Sequence, residues 1–571
     1  MDRRTIIFFA LAGVFMLLSV FVIPQFLQNN QKQVPAQNQE QEQVPVEEVA
    51  KVPDLQAVPL TKQIEEQTKT YHLNAYDVTF SNKGAVVTSF KINDLEKDPN
   101  NESSDDSIEM INSFDLTDPI AQAKIAQYPF ALHFGDFETA PSMDLYEMKE
   151  VDDHTLEFTR MYDYKGVPFT VKKTYRVVDD EYILHLYIEL SNSKNDYLPN
   201  LDGLLYTMEI GPQIGPDFTG EAPSDRVDYR KFRYINSNGT QETVLGKGAE
   251  PKIEKGSFSW ISITGKYYAL IASTNAQTKR FVFDSRNDFY VPKLRSAMYI
   301  ERKFEGTPKR LDEYTFFIGP KKQEILAKYS DQKYGEVAPI DFPFGTIGEL
   351  FKYPLDFFAG VTGNYGISII ILTILIKILF YPLTKKGQDS MKRMQSLNPK
   401  IAEIREKFKD DPKRMNMEIA DLYKREKISP LGGCLPQLLQ LPIMFALYNL
   451  FNNHFGLKGA PFIGWITDLS IPESLFKLPF EIPFLGDQFR LLPFIMLATQ
   501  LLSTLTTQST QATTGDNKMK YLPYILMGVF FFVLYNLPSG LVLYWTVQNF
   551  LTVLIIVIRN FVKERKLSFQ M

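Results

Sequence analysis

Apolar runs long enough to cross a membrane constrain this chain more than any other feature. In the last third of the 571-residue sequence they fall roughly at 366–383, 430–451, 491–507, 521–537 and 540–558. One more run, at 6–23, stands near the N-terminus. About 20 apolar residues in a helix span the hydrocarbon of a bilayer. The pattern predicts a polytopic α-helical membrane protein with six transmembrane helices, one near the N-terminus and five that form a core.

Basic residues beside the predicted spans favour one orientation in a bacterial inner membrane. Lys and Arg concentrate in cytoplasmic loops near span ends. The basic positions are Arg3 and Arg4, the loop 385–427, Lys518 with Lys520, and the tail from Arg559 onward. A six-span arrangement places all of them on one side. The sequence therefore predicts cytoplasmic N- and C-termini.

The N-terminal run predicts an uncleaved anchor over residues 1–27. A cleaved signal peptide has a shorter apolar region, of about 7 to 15 residues, followed by small residues at the cleavage site. Here Pro24 and the bulky pair Phe26 and Leu27 follow instead. Residues 28–57 are rich in Gln, Glu, Val and Pro without an aromatic residue, which predicts a flexible linker.

Residues 58–335 change to short stretches in which apolar and polar residues alternate. Two examples are Val86–Ile92 and 182–188, and turn sequences such as 237–239 separate such stretches. Alternation with a period of two is typical of strands that are buried on one face. The segment predicts one large all-β sandwich outside the cytoplasm.

Residues 340–360 predict an amphipathic helix in the membrane interface, just before the second span. Its apolar face is expected to hold Ile347, Leu350, Phe351, Leu355 and Phe358. An ordinary helix packed on the sandwich is the alternative interpretation of the same pattern.

The loop 385–427 predicts an antiparallel helical hairpin in the cytoplasm. Apolar residues at steps of three and four mark the first helix at Met394, Leu397, Ile401, Ile404 and Phe408, and the returning helix at Met415, Ile419 and Leu422. Its outer surface is expected to be basic, through Lys392, Arg393, Lys400, Arg405, Lys413 and Arg414. Such a surface suits anionic lipid headgroups. The alternative is a solvated loop that only obeys the charge rule.

Lys377 lies inside the second predicted span, where an ionisable side chain costs about 2.5 to 3.5 kcal/mol. It must face water or a polar partner, unless its flexible stem extends along lipid toward the interface. At the rise of a helix, Lys377 lies about 12 Å from the cytoplasmic surface marked by Lys385.

Polar side chains on two other spans fall at a similar depth. Gln437 and Gln440 share a face of the third span, and Asn549 and Thr552 lie in the last span, about 10 to 17 Å from the cytoplasmic side. We therefore predict a water-containing groove that opens to the cytoplasm and carries one positive charge. A proton-coupled transporter is the competing hypothesis, although the spans carry no Asp or Glu and no inverted repeat is visible.

Other chemistry lacks its minimal parts in this sequence. It has no nucleotide-binding Walker A loop, no H-E-x-x-H and no G-x-S-x-G motif, so no enzyme activity or cofactor is expected. The five histidines lack metal-ligand spacing, and the single cysteine, Cys434, cannot form an internal disulfide. A net charge of −5 does not indicate a nucleic-acid binder.

Four segments resemble, in the same order, signature sequences of the YidC family of membrane protein insertases. They are Gly-Asn-Tyr-Gly at 363–366, Tyr-Pro-Leu-Thr-Lys at 381–385, Pro-Leu-Gly-Gly-Cys at 430–434 and Pro-Ser-Gly-Leu-Val-Leu-Tyr at 538–544. The resemblance covers a five-span insertase core at 363–566, and the anchor, linker and large periplasmic domain are typical of Gram-negative members.

The resemblance implies a membrane protein insertase and chaperone that acts alone or with the Sec translocon. Implied partners are nascent membrane proteins, ribosomes or signal-recognition targeting factors, and anionic lipids. A polytopic transporter with a periplasmic binding domain remains the alternative. The likeness of the sandwich to sugar-binding folds is not taken as sugar binding.

The resemblance also implies residue roles. Lys377 takes the position of the charged groove residue, where members usually have Arg, and a lysine makes carboxylate capture less directional. Thr373, Gln440 and Thr552 match other positions that line the groove. Tyr544 and Trp545 match aromatic residues near the path of the client.

Overall fold

The computed structural model places the chain in two units, Val44–Pro339 and a second that includes Ile340–Met571. The described residues are 55–59, 64–93, 107–111, 129–192, 194, 196–211, 231–243, 250–284, 297–338, 344–426, 435–482, 485–508 and 522–568. The predicted anchor 1–27 and the linker up to residue 54 lie outside them.

Antiparallel strands make up most of the first unit. In chain order they are β1 (Leu55–Ala57), β2 (Thr68–His72), β3 (Tyr76–Ser81), β4 (Val86–Ile92), β5 (Ile108–Glu109), β6 (Leu132–His133), β7 (Glu147–Asp152), β8 (Thr155–Tyr164), β9 (Val167–Val177), β10 (Ile183–Ser191), β11 (Leu204–Ile210), β12 (Lys231–Asn236), β13 (Gly239–Thr243), β14 (Lys252–Lys255), β15 (Trp260–Thr264), β16 (Tyr268–Thr274), β17 (Thr278–Asp284), β18 (Ala297–Lys303) and β19 (Lys309–Pro320). A short helix, α1 (Gln323–Leu326), and two 3₁₀ turns, Ala327–Tyr329 and Tyr334–Val337, follow them.

The strands form three sheets. The largest runs β1-β8-β9-β10-β19-β16-β15-β12-β13, with β7 also paired to β8. The second runs β14-β17-β18-β11-β6 and the third β2-β3-β4-β5. β1 pairs with β8 through Leu55 and Tyr164, so strand pairing begins inside the segment predicted as linker. The backbone of an edge strand is stabilised by its neighbour, which composition does not reveal.

Aromatic side chains fill the space between the sheets. Phe232 of the largest sheet stacks on Phe283 of the second, with ring centroids 4.5 Å apart. Phe80 of the third sheet meets Tyr175 of the largest at 4.7 Å. Face-to-face packing of this kind is how two sheets bury their inner faces. The prediction of a β-rich domain is confirmed.

A buried ionic network also joins two of the sheets. Arg302 Nε of β18 donates to Asp312 Oδ2 of β19 at 2.8 Å, and both side chains are fully buried. The Tyr206 hydroxyl of β11 donates to the same carboxylate oxygen at 2.8 Å. Arg302 Nη2 also donates to Glu305 Oε2 at 3.0 Å, so loss of Asp312 leaves the buried guanidinium with one carboxylate in place of two.

Helices make up most of the second unit. They are α2 (Phe344–Thr362), α3 (Tyr365–Ser396), α4 (Asn398–Lys407), α5 (Pro412–Arg425), α6 (Leu435–Asn453), α7 (Leu492–Gln508), α8 (Leu522–Tyr535) and α9 (Ser539–Ser568). A 3₁₀ turn at Phe455–Leu457 and a β-hairpin of β20 (Phe476–Ile482) and β21 (Gly486–Phe489) lie between α6 and α7.

Two stretches of these helices are long and apolar enough to cross a membrane, Tyr365–Gly387 in α3 and Ser539–Arg559 in α9. A shorter apolar stretch, Leu492–Thr506, lies in α7. The described helices α6 and α8 coincide with two further apolar runs of the sequence. The count of six spans stays a prediction.

Helix α2 packs against α6 and α3 through one of its faces. Phe351 and Leu355 are buried there, and a side chain at Gly348 would approach the Ala446 carbonyl oxygen to 3.0 Å. Leu350, which the sequence placed on one apolar face with Phe351 and Leu355, is 67% exposed. Tyr353 is exposed as well. Consecutive helical residues are rotated by about 100°, so Leu350 and Phe351 point in different directions. The helix therefore buries Phe351 and Leu355 and leaves Leu350 and Tyr353 exposed, and its position in the membrane interface stays a prediction.

The loop 385–427 contains a short helical hairpin, α4 and α5, at the end of a long α3. Helix α3 continues past Lys385 to Ser396, and the chain bends at Leu397. Leu397 and Ile401 are buried, and Lys400 Nζ lies 2.8 Å from Glu426 Oε1 beyond α5. The first arm is therefore divided between α3 and α4.

We expect Asp312→Ala to destabilise the β-rich domain by about 3 kcal/mol, because it leaves Arg302 charged and buried without this carboxylate. Urea unfolding of the full chain, with Trp260 as the remaining tryptophan after Trp465→Phe and Trp545→Phe, measures the change. Lys309→Ala removes the exposed pair with Glu189 and is the control, with an expected cost below about 1 kcal/mol. If Asp312→Ala and Lys309→Ala lowered the free energy of unfolding equally, the buried network would contribute no more to stability than the exposed pair.

Candidate functional site

A hydrogen bond between Lys377 and Thr552 joins the two long apolar helices. Lys377 Nζ of α3 donates to Thr552 Oγ1 of α9 at 2.7 Å. The Thr552 hydroxyl in turn donates to the Gln548 carbonyl oxygen of its own helix at 2.8 Å. The predicted coincidence of depth on these helices thus corresponds to a direct contact.

The same side of α9 carries further polar atoms. Tyr544, Gln548 and Thr552 follow at steps of four, which places them on one face of the helix. The Tyr544 hydroxyl, Gln548 Oε1 and Asn549 Nδ2 are buried and hydrogen-bond to no group among the described residues. Buried polar atoms almost always have a protein or water partner. This face of α9 is therefore suited to bind water or a polar ligand.

The other predicted groove residues differ in what they offer. Thr373 is fully buried, and its hydroxyl donates to the Ile369 carbonyl oxygen of α3 at 2.6 Å. Its donor is therefore used within its own helix. Gln440 is half-buried in α6, whereas the side chain of Gln437 lies outside the described residues. The structure joins Lys377 directly to Thr552 and gives no such bond to Gln440.

Trp545 connects α9 to two neighbouring helices. Its indole Nε1 donates to Gln500 Oε1 of α7 at 3.2 Å, and its ring stacks on Phe530 of α8 with centroids 5.5 Å apart. Gln500 did not appear among the predicted site residues. A polar residue inside the apolar run 491–507 was the available signal.

A second polar cluster lies where α2, the start of α3 and the end of α6 meet. Asp356 Oδ1 lies 2.9 Å from His454 Nε2 and accepts a hydrogen bond from the Tyr365 hydroxyl at 3.2 Å. Burial raises the pKa of the Asp356 carboxyl, but the contacts with His454, Tyr365 and Lys352 outweigh it and leave that pKa below its ordinary value. His454 stands far from Asp356 and Tyr365 in sequence, so spacing did not reveal the cluster.

The site offers hydrogen bonds and one cation. Among the ion pairs of the described residues, none involves Lys377. Within the described parts of the chain, no group of three or more His, Cys, Asp or Glu is arranged to hold a metal ion. The arrangement can bind a polar or acidic chain segment.

Asp356→Asn is expected to lower the stability of the helical unit near pH 7 by about 1 kcal/mol, since the carboxylate is 38% exposed and its pairs are partly screened. Because the folded pKa is depressed, the contribution is present above the unfolded pKa of about 4 and is lost as the pH falls through the folded value. Thermal unfolding in detergent at several pH values measures it.

Glu349→Gln, on the same helix, is the matched control and should leave the profile unchanged. If Asp356→Asn kept the acid-induced loss seen in the parent chain, the depressed pKa would not be the source of that loss.

Comparisons with known proteins give consistent matches. A family described as 60Kd inner membrane protein matches residues 357–566, and one described as YidC periplasmic domain matches residues 70–339. A membrane protein insertase YidC of Treponema denticola is 31% identical over 510 residues, covering 86% of this chain and 85% of the relative. The protein of the same name from Treponema pallidum is 30% identical over 549 residues, covering 86% and 84%.

A solved structure is also similar to this chain. It is described as an active YidC insertase crystal structure with the first transmembrane domain resolved. It shares 18% identity, covers 87% of this chain and 94% of its own, and gives a TM-score of 0.32. A score this low adds no argument of its own to the sequence matches.

Proposed function

Since the chain belongs to the YidC family of membrane protein insertases, we propose that it admits its clients through a hydrated groove at Lys377. The resemblance found in the four motif segments is confirmed. Relatives are inner membrane proteins with a periplasmic domain, and nascent membrane proteins are the clients of such insertases. Insertases are not an enzyme class.

The proposed topology has six spans with both termini in the cytoplasm. An anchor at 1–27 and a linker at 28–57 precede the periplasmic domain at 58–335, and the core occupies 363–566. The lengths of α3 and α9 support two of the spans, and α6, α7 and α8 occupy the other three apolar runs of the core. Helix α2 lies in the interface, with Tyr353 and Phe357 exposed toward lipid.

The contact between Lys377 Nζ and Thr552 Oγ1 carries the groove proposal. An ammonium has three donors, and Thr552 accepts from one of them. An unsatisfied polar group in hydrocarbon costs several kcal/mol, so the others need water. Unpartnered atoms of Gln548 and Asn549, within about one turn of Thr552 on α9, support the same conclusion, because they also require water near this level of the helix. Gln437, Gln440 and Thr373 complete the proposed lining.

A polar, often acidic client tail then enters from the cytoplasm. Water and the positive charge of Lys377 lower the cost of moving the tail inward. The hydrophobic segment leaves sideways along α6 and α8, where Ile525 and Phe532 are exposed. Partitioning of about 20 apolar residues and the membrane potential, worth about 2.3 kcal/mol per charge per 100 mV, supply the energy. The relatives do not favour a transporter.

The helical hairpin is proposed to meet anionic lipids, ribosomes or signal-recognition targeting factors, and the chain to work alone or with the Sec translocon. Arg393, Lys400, Lys413 and Arg414 are exposed, and Arg405 is half-buried. The side chain of Lys392 lies outside the described residues. Exposed cations beside a membrane attract anionic headgroups by about 1 kcal/mol each.

Lys377→Glu is expected to reduce insertion of acidic-tailed clients at least about tenfold, because it puts a like charge in the client's path. Lys377→Arg should insert them normally. Reconstituted vesicles and protease protection of the client measure the rates, with neutral-tailed clients compared in parallel. Lys386→Glu reverses an exposed lysine of the same helix and is the control. Normal insertion of every client by Lys377→Ala would remove the charge from the mechanism and leave hydration alone.

Replacing residues 398–426 by a short Gly-Ser linker should block insertion of ribosome-bound clients without unfolding the spans, because α3 remains intact to Ser396. Insertion rate and helical content in vesicles are the measurements. A second variant, with Lys400, Lys413 and Arg414 changed to Gln, retains the hairpin and tests its charge. An unchanged insertion rate in the deletion would rule out a role for the hairpin.

A further inference from the structure

The β-hairpin of β20 and β21 exposes large apolar side chains beside the start of α7. Phe476 and Phe480 are 51% and 60% exposed, and Leu475 precedes them with 42%. Soluble surfaces rarely present several neighbouring large apolar side chains without a partner. Phe476 and Phe480 therefore require an apolar environment.

An aromatic series connects this surface to the helices. Phe476 stacks on Phe489 across the two strands at 4.9 Å, and Phe489 stacks on Phe494 in the first turn of α7 at 5.5 Å. Phe494 in turn meets Phe531 of α8 at 5.1 Å. The hairpin surface is thus continuous with the outer surface of two apolar helices.

That helix surface is itself exposed and apolar. On α7, Phe494, Leu502 and Leu505 are 39%, 50% and 48% exposed, and Phe532 of α8 is 52% exposed. If α7 and α8 cross the bilayer, as proposed above, these side chains face lipid. Lipid that covers these side chains would also contact Phe489 and Phe476, which stack in series on Phe494.

The polar groups of the β-hairpin suit a headgroup region. Lys477 Nζ lies 2.9 Å from Asp487 Oδ2, and Lys477 points away from Phe476 because neighbouring strand residues face opposite sides. Arg490, between β21 and α7, packs over the Tyr535 ring at 5.0 Å. Aromatic and basic residues together are typical of the boundary between acyl chains and headgroups.

We infer that the β-hairpin of β20 and β21 is a lipid anchor that inserts Phe476 and Phe480 into the bilayer at the end of the membrane region away from the helical hairpin. Its occupant is the acyl-chain and headgroup boundary of the lipid, not a second protein. This inference rests on α7 crossing the bilayer as proposed.

A fluorescent probe on single cysteines tests the anchor in proteoliposomes of the full chain. In a Cys434→Ser background, the dye NBD is attached at Phe480→Cys, at Lys477→Cys and at Leu502→Cys. Phe480 and Lys477 are both exposed on the same strand, which makes Lys477 the matched polar control. Lipids that carry a nitroxide near the top of the acyl chain quench a dye that lies in the bilayer boundary.

Quenching at position 480 should exceed that at 477 by at least about twofold and approach that at 502. Equal quenching at 480 and 477, with strong quenching at 502, overturns the anchor and leaves the span intact. Weak quenching at 502 overturns the assignment of α7 as a span and the anchor with it. Phe476→Cys is a second probe position if Phe480→Cys does not fold, and the same comparisons decide.

Discussion

A cation among apolar helices is the constraint on which the membrane region depends. Lys377 Nζ reaches Thr552 Oγ1, and that hydroxyl donates its proton to the Gln548 carbonyl oxygen. One neutral hydroxyl cannot replace the hydration of an ammonium, whose burial costs several kcal/mol. Gln548 and Asn549 lie within about one turn of Thr552 and also carry buried atoms that require water, so the proposed groove would hydrate them together with the lysine. In this view charge and hydration are one property of the proposed groove.

The rest of the helical unit holds that arrangement in place. Trp545 Nε1 fixes α9 to α7 through Gln500, and Asp356 links α2 to His454 beyond α6. Close backbone approach adds to this, because a side chain at Gly540 would come within 3.1 Å of the Leu469 carbonyl oxygen. Without a hydrophobic driving force between helices in lipid, tight packing and hydrogen bonds of this kind stabilise the bundle.

Sequence periodicity predicted which segments form helices or strands and the depth of polar residues in the membrane. It did not predict which neighbour each side of a helix contacts. It placed Lys377 and Thr552 at one depth, and they are in contact. It did not show that the Thr373 hydroxyl bonds within its own helix, or that α2 turns Phe351 and Leu355 toward its neighbouring helices. Depth follows from residue number, whereas rotation depends on which neighbour a helix packs against. Contacts such as that between Asp356 and His454 join segments distant in sequence, so no local sequence pattern predicts them.

Lysine at the charged position has a consequence for client recognition. A guanidinium holds a carboxylate through two parallel hydrogen bonds, whereas an ammonium is a point charge on a flexible stem. Thr552 restrains that stem from one side, and the remaining donors of Lys377 are not fixed in a plane. In the proposed groove, an acidic client tail would therefore be attracted without being oriented. Such weak direction suits an insertase whose clients differ in sequence, because attraction need only offset the cost of entry, and release follows when the apolar segment partitions into lipid.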